Sequence, residues 1–496
     1  MASYNLAQLM RSEPHAAQAP ELPQAAAVDA PTSSAAPRRE PVAPESVMRS
    51  QAASGDTTEG LLGVVIVSDN VSAKFGGEAI LPLHYFRLLR DRGFRVWLVT
   101  HARTRPELLA LFPGETRIRF VEDSILHKLL WQFGRWLPTQ LAHVTTGFLT
   151  RVAVQTALRR IVRQLVAGER IDIVHQPAPV SPREPSLIFD VGAPVIIGPM
   201  NGGMDYPPAF RPDGGRTVEL FVWLGRRSAV LLNALLPGKR RAAMLLVANA
   251  RTRAALPPGV CGRVEEVAEN GVALDVFKPL PCRALGRGLT RFAFIGRLIS
   301  LKGVDLLLDA FAAASARAPM QLVIIGDGVE REHLRLQAAR LFSGASSSAV
   351  FEPVRFTGWI AQSECARELS DTDCLVMPSL RDCGGAVVLE AMAMSKPVIA
   401  TAWGGPLDYL DESCGILIPP RDHESLVEEL TRAMVRLADA PLERAAMGRA
   451  GRAKIEQVYS WDAKVSRVVQ LYRQVLAQPT VAHLPRAGKA FDGELG

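Results

Sequence analysis

Residues 379–405 read SLRDCGGAVVLEAMAMSKPVIATAWGG, which places one acid, Asp382, before two glycines and a second acid, Glu390, eight positions on. Gly384 and Gly385 let a backbone approach a ligand closely. A helix beginning near Ala386 offers unpaired N–H groups and the positive end of its dipole to an anion such as phosphate. Asp382 and Glu390 then accept hydrogen bonds from hydroxyls, as binding a sugar or a ribose requires. In the competing reading Asp382 only caps the helix and Glu390 is a solvated surface acid. A second stretch, GRLISLKG, sets Arg297 directly after an apolar run and Lys302 five residues later, beside Gly303. Two cations held apart, together with backbone amides, suit a diphosphate, and each charge-assisted bond is worth about 1.5–3 kcal/mol. Two solvated cations in an ordinary turn are the alternative.

The first half of the chain offers weaker candidates. Gly76, Gly77 and Glu78 follow the apolar run LGVVIVS, and GPMNGG puts Asn201 in a glycine loop after PVII. His175, in IVHQPAP, ends another apolar run. Glu78, His175 and Asn201 are the candidates for the side of an acceptor; a tight turn, a satisfied core histidine and a simple chain reversal are the structural alternatives. A dinucleotide dehydrogenase needs GxGxxG in the first loop and an acid at the end of the next strand. That strand instead ends LVTHAR, with His101 and Arg103.

The elements that must position these residues alternate in type. LGVVIVS (62–68), FRVWLVT (94–100), IDIVHQ (171–176) and APVIIGPM read as strands, and ILPLHYFRLLRDRG has helical spacing with a terminal glycine. From about residue 288 the rhythm restarts, with strands in TRFAFIG, MQLVIIGDG, VRFTGWI, TDCLVMPSL, KPVIATAWGG and CGILIPP. Alternation of this kind predicts parallel sheets covered on both faces, whose ligands bind where loops leave the carboxyl ends of strands. Residues 264–288, rich in Pro and Gly, read as a hinge. Two helices broken near Ser460, a plausible cap for the second, close the chain.

Composition sets the outer bounds. A chain of 496 residues that is 48% hydrophobic can bury two or three cores. Net charge is +7 and the isoelectric point about 9.2. Both signs are interspersed, so anionic small molecules and lipid heads are as compatible as nucleic acid, and the basic residues lack the interleaved stacking aromatics of a nucleic-acid module. Cys261, Cys282, Cys365, Cys374, Cys383 and Cys414 show no CxxC or metal-ligand spacing, which predicts reduced thiols in the cytoplasm. The Ala/Pro-rich first 60 residues predict disorder, with no signal peptide and no bilayer-spanning run.

These motifs in this order resemble the retaining, nucleotide-sugar-dependent glycosyltransferases of family 4. The resemblance covers roughly residues 62–478 and rests on GRLISLKG, IIGDG, VRFTGWI, MPSLRDCGGAVVLEAMAMSKPVIAT and GRAGRAKIEQVYSWD. It implies the α/β GT-B fold of two facing Rossmann-like doubly wound domains. The expected layout is a disordered tail over 1–60, an N-terminal acceptor domain over 61–277 and a nucleotide-sugar domain over 288–460. A C-terminal helix over 461–478 returns to the first domain, and a frayed tail covers 479–496. By the resemblance, Arg297 and Lys302 clamp the donor diphosphate, Glu390 holds the ribose and Asp382 contacts the sugar. Cys383, Gly384, Gly385 and Ala386 line the donor with backbone, and the Gly76–Gly77 loop lets its phosphates approach the first domain.

The implied reaction moves a sugar from a nucleoside diphosphate sugar to a hydroxyl of a glycan or lipid-linked acceptor, in polysaccharide, lipopolysaccharide or glycolipid assembly. It uses no metal and no cofactor beyond the co-substrate, and no nucleic acid. The DTD at Asp371–Asp373 is similar to the metal-binding DxD of the other glycosyltransferase fold but enters a strand rather than leaving one. Where the family's pattern has Glu, seven residues, Glu, this chain has Asp382, one methylene shorter. That departure keeps open a nucleotide-sugar-binding scaffold with little or no turnover; a GT-B sugar-nucleotide epimerase is the rival among enzymes, without a supporting set of catalytic acids. Two segments, 126–165 and 219–247, mix aromatic and aliphatic residues with Arg and Lys. They fit either a peripheral position at the inner face of a membrane or helices packed on their own sheet.

Overall fold

The computed structural model describes residues 62–74, 77–123, 132, 146–211, 227–279, 288–343 and 352–477. Gly76 and the tails expected over 1–60 and 479–496 lie outside them. The first lobe is a seven-stranded sheet of β1 (Gly63–Val67), β2 (Arg95–His101), β3 (Ile118–Val121), β4 (Ile173–Gln176), β5 (Val195–Met200), β6 (Met244–Val247) and β7 (Val264–Glu266). Its order is β3-β2-β1-β4-β5-β6-β7, and its pairings are parallel. The second lobe repeats the plan with β8 (Thr290–Ile295), β9 (Met320–Ile325), β10 (Val354–Gly358), β11 (Cys374–Met377), β12 (Val398–Thr401) and β13 (Gly415–Ile418). Six strands run in the order β10-β9-β8-β11-β12-β13, again parallel.

Side-chain alternation explains why both faces of each sheet are covered. Val64 and Ile66 of β1 enter one core with Leu81, Tyr85 and Phe86 of helix α1 (Leu81–Asp91). Val65 and Val67 enter the opposite core with Val154, Leu158 and Val162 of α2 (Thr146–Gly168). In the second lobe Phe292 and Phe294 pack on Leu307 and Phe311 of α3 (Val304–Ser315). Ala293 and Ile295 pack on Val388, Leu389 and Met392 of α4 (Ala386–Ala393). Burying each large apolar side chain stabilises by about 1.5–3 kcal/mol before ordering costs.

The last helix, α5 (Trp461–Ala477), crosses back to the first lobe, where Trp461, Val465, Val468 and Tyr472 join the core of Tyr85 and Phe86. It starts after Ser460, whose Oγ accepts from the Ala463 N–H at 3.1 Å. Among the described residues no helix is long and apolar enough to cross a membrane.

Two expectations need correction. Within the segment 219–247, Met244–Val247 is the buried strand β6, so that part is interior to the sheet. Within the hinge stretch, Val264–Glu266 is the edge strand β7. In the segment 126–165, residues 146–165 belong to α2, which packs on its own sheet, the second of the two readings given for it; residues 126–131, 133–145 and 219–226 lie outside the described residues.

Candidate functional site between the lobes

In a doubly wound sheet the strand order reverses at one point, and the loops leaving the two strands there diverge to leave a crevice. In the second lobe that point lies between β8 and β11. The loop after β8 carries Arg297 and Lys302, and the loop after β11 carries Asp382 to Gly385. The two loops are joined by backbone, since the Leu380 N–H donates to Leu301 O at 2.9 Å. They are also joined by charge: the Lys302 ammonium forms an ion pair with Asp382 Oδ2. Asp382 Oδ1 accepts from the Gly385 N–H at 3.1 Å. Asp382 therefore faces a cation on one side and the start of α4 on the other.

Gly385 is the residue before α4 and has φ +56°, a left-handed conformation in which a Cβ is disfavoured. Ala386 opens the helix and is exposed. Glu390 follows four residues later, so the two share one face of α4. The residue is half-buried, but its carboxyl is enclosed; burial pushes its pKa up to about 7, against a hydrogen bond from Gln362. Arg297 is exposed and its guanidinium has no partner among the described residues.

The first lobe reverses its strand order between β1 and β4. Gly77 and Glu78 form a turn after β1, and the Val180 backbone, beyond β4, lies close enough to the Glu78 carboxyl to oppose the rise in its pKa. The Glu78 residue is exposed as a whole, yet desolvation of its carboxyl, and next the nearby Glu269, push its pKa up to about 7.

Asn201, beyond β5, is buried and bridges the lobes. Its Nδ2 donates to Cys383 O at 2.9 Å and to Glu269 Oε2 at 2.6 Å. Further contacts cross the gap, including Asn249 Nδ2 to Asp408 Oδ2 at 2.7 Å and Trp403 Nε1 to Asp205 O at 2.9 Å.

The structure thus brings Lys302, Asp382, Cys383, Gly384, Gly385 and Asn201 together, with Arg297, Ala386 and Glu390 on the same loops and helix. His175 is not among them. It is 0% exposed, with Nε2 on Gly198 O at 2.6 Å and Nδ1 on the Tyr472 hydroxyl at 2.6 Å. Burial holds its pKa down at about 4. With both ring nitrogens occupied inside the core it has no face for an acceptor, and the structural alternative holds. Asp373 is likewise occupied, its Oδ2 accepting from the Arg291 N–H at 2.8 Å.

Two residues of the site have no counterpart among the sequence candidates, Glu269 and Asn270. They lie in VAENGV, where two polar residues between apolar neighbours were the available signal. Glu269 is 7% exposed; burial raises its carboxyl pKa, against the bond from Asn201 and the Lys464 charge. Lys464 of α5 reaches it from behind, its ammonium donating to Glu269 O. Among the described residues the cysteines Cys261, Cys365, Cys374, Cys383 and Cys414 are free thiols, and no group of three His, Cys, Asp or Glu side chains is placed to hold a metal ion.

Comparisons with known proteins bear on this arrangement. Residues 290–436 match the family model of glycosyl transferases group 1. Over 183 residues the chain is 32% identical to a GDP-mannose-dependent monoacylated alpha-(1-6)-phosphatidylinositol monomannoside mannosyltransferase of Corynebacterium glutamicum, a match covering 35% of this chain and 45% of that protein. Over 224 residues it is 33% identical to a D-inositol 3-phosphate glycosyltransferase of Streptomyces avermitilis, covering 42% of this chain and 46% of that one. The chain therefore spans about half the length of these curated relatives. Among solved structures, Anabaena HepE in complex with UDP and glucose superposes with a TM-score of 0.54 at 17% identity, over 83% of this chain and 99% of that one. The two-lobed architecture is the GT-B fold of glycosyltransferases, and the match to glycosyl transferases group 1 falls on the second lobe, over residues 290–436.

Proposed function

We propose that this protein is a retaining glycosyltransferase of family 4, which moves a sugar from a nucleoside diphosphate sugar to an acceptor hydroxyl. The observation that carries the reading is the meeting of Lys302 with the loop that opens α4, at the strand-order reversal of the second lobe. Breaking the glycosidic bond to the diphosphate leaves negative charge on the departing group. Lys302, Arg297 and the unpaired amides at the start of α4 stabilise that charge more in the transition state than in the ground state, which is how fixed dipoles and cations accelerate a reaction. Glu390 accepts from the ribose hydroxyls. The step as proposed uses no metal ion.

The acceptor we propose is a glycan or lipid-linked hydroxyl in polysaccharide, lipopolysaccharide or glycolipid assembly. Two observations support it: the names of the inositol-directed relatives, and the exposed Leu231 and Leu235 close in sequence to exposed Arg240 and Arg241. Exposed aliphatic and basic side chains together suit a peripheral position at the cytoplasmic face of a membrane.

A panel of nucleoside diphosphates and nucleotide sugars screened by thermal shift tests the donor site, because a ligand at a hundred times its dissociation constant stabilises by about 2.7 kcal/mol. Absence of stabilisation by every member would sink the proposal. The charge-matched Lys302–Asp382 pair also suits a scaffold that binds the donor without turnover. Donor hydrolysis, or transfer to a lipid extract, separates the two, since a scaffold binds and releases the donor intact.

A further inference from the structure

The loop that opens α4 is held by its carbonyls. Asn201 Nδ2 donates to Cys383 O at 2.9 Å, and Asn270 Nδ2 donates to Gly384 O at 3.2 Å. Neither asparagine belongs to the second lobe's sheet: Asn201 follows β5 of the first lobe and Asn270 lies beyond β7, in the connection between lobes. The Asn201 amide can face only one way, because Cys383 O and the Glu269 carboxylate both require a donor. Glu269 is fixed in turn by the buried Lys464 on its backbone oxygen. The fit at Gly384 is tight: a Cβ there would stand 2.7 Å from Asn270 Nδ2 and 3.3 Å from Glu269 Oε2.

A peptide unit is planar, so fixing its C=O on one side fixes its N–H on the other. Holding Cys383 O orients the Gly384 N–H, and holding Gly384 O orients the Gly385 N–H, which reaches Asp382 Oδ1 at 3.1 Å. The N–H groups of Gly384 and Ala386 have no protein partner among the described residues. We infer that Asn201 and Asn270 are positioning residues for the donor: they aim the amides at the start of α4, and through Asn201 the first lobe sets the donor affinity of the second. This inference rests on the donor site proposed above. It adds that the amide array is assembled by both lobes, so a change in lobe arrangement that withdraws Asn201 releases the loop.

The test uses the full chain, with UDP and GDP as probes in titration calorimetry and amide hydrogen exchange over residues 382–388. Asn201→Ala and Asn270→Ala are expected to weaken binding of whichever probe the wild type takes by tenfold or more. Exchange of the Gly385 N–H, which is bonded to Asp382, should accelerate, and the KM for donor should rise while that for acceptor stays within about twofold. Asn270→Ala carries the same expectation from a half-buried position, should Asn201→Ala fail to fold. Folded variants that bind the nucleotide like wild type, with unchanged exchange at 383–386, would overturn the inference while leaving the donor site standing. A wild type that binds neither probe nor any other nucleoside diphosphate removes the donor site itself, and the inference with it.

Discussion

Lys302 and Asp382 form an ion pair across the crevice where the second sheet reverses its strand order, and the other oxygen of Asp382 caps the glycine before α4. The cation proposed to hold a diphosphate is thus already balanced by an acid, and donor binding must exchange one anion for another. Asp382→Asn keeps an oxygen for the Gly385 N–H and removes the competing charge, so UDP should bind about tenfold more tightly, as expected for deleting one charge near a phosphate in a partly dehydrated site. Calorimetric titration reads this directly, and weaker binding would count against the exchange. Asp382→Glu lengthens the side chain by one methylene and displaces both contacts. A shift of about 1 Å commonly costs on the order of a hundredfold in rate, so transfer should fall by that order rather than recover.

Arg297 stands apart from this pair, exposed on the same loop. Arg297→Ala should weaken UDP binding by ten- to a hundredfold, matching the loss of a charge-assisted bond of about 1.5–3 kcal/mol. The difference from wild type should shrink as ionic strength rises. Circular dichroism should be unchanged, since the side chain holds nothing else among the described residues.

Much of the fold is written locally. Strands buried on both faces are continuous apolar runs, so FAFI and LVII announce β8 and β9 without any knowledge of their partners. MLLV of β6 hides because it is short and follows the basic stretch GKRRAA, while VEE of β7 is a polar edge strand with no period to read. At the site, residue types and glycine spacing pick out Lys302 and Asp382 singly. Their pairing spans 80 positions and is set by the topology of the switch point. His175 lies near a strand end like the other candidates, but its hydroxyl partner arrives from 297 residues away on α5. Glu269 and Asn270 acquire their roles only when the lobes meet, which no local pattern records.

Glu390 gives the donor site a pH signature. Its carboxyl is held to a pKa of about 7 by burial, above the ordinary carboxylate range, so near neutrality it is part protonated. Hydroxyl donors of a ribose favour the ionised form. Donor affinity should therefore increase between pH 6 and pH 8, with a proton released on binding below about pH 7. Calorimetry in buffers of different ionisation enthalpy measures the released proton. Glu390→Gln should abolish the release and flatten the pH dependence, which separates this group from Glu78, raised to a similar value.

Lys464 predicts a slope of stability with pH. It is 3% exposed, lies over the Trp461 ring at 4.2 Å, and burial lowers its pKa to about 7. Between about pH 7 and pH 10 the unfolded chain holds a proton that the folded chain does not, so the unfolded state binds more protons and stability rises with pH. The slope from one such group approaches about 1.4 kcal/mol per pH unit. Lys239, also buried and lowered to about 7, contributes in the same direction. Lys464→Met keeps most of the apolar stem over Trp461 and deletes the titrating group, so its urea midpoints at pH 7.5, 8.5 and 9.5 should rise less steeply than those of wild type. An identical slope in the two proteins would mean that Lys464 keeps its proton in the folded state, held by the Glu269 carboxylate more firmly than burial opposes it.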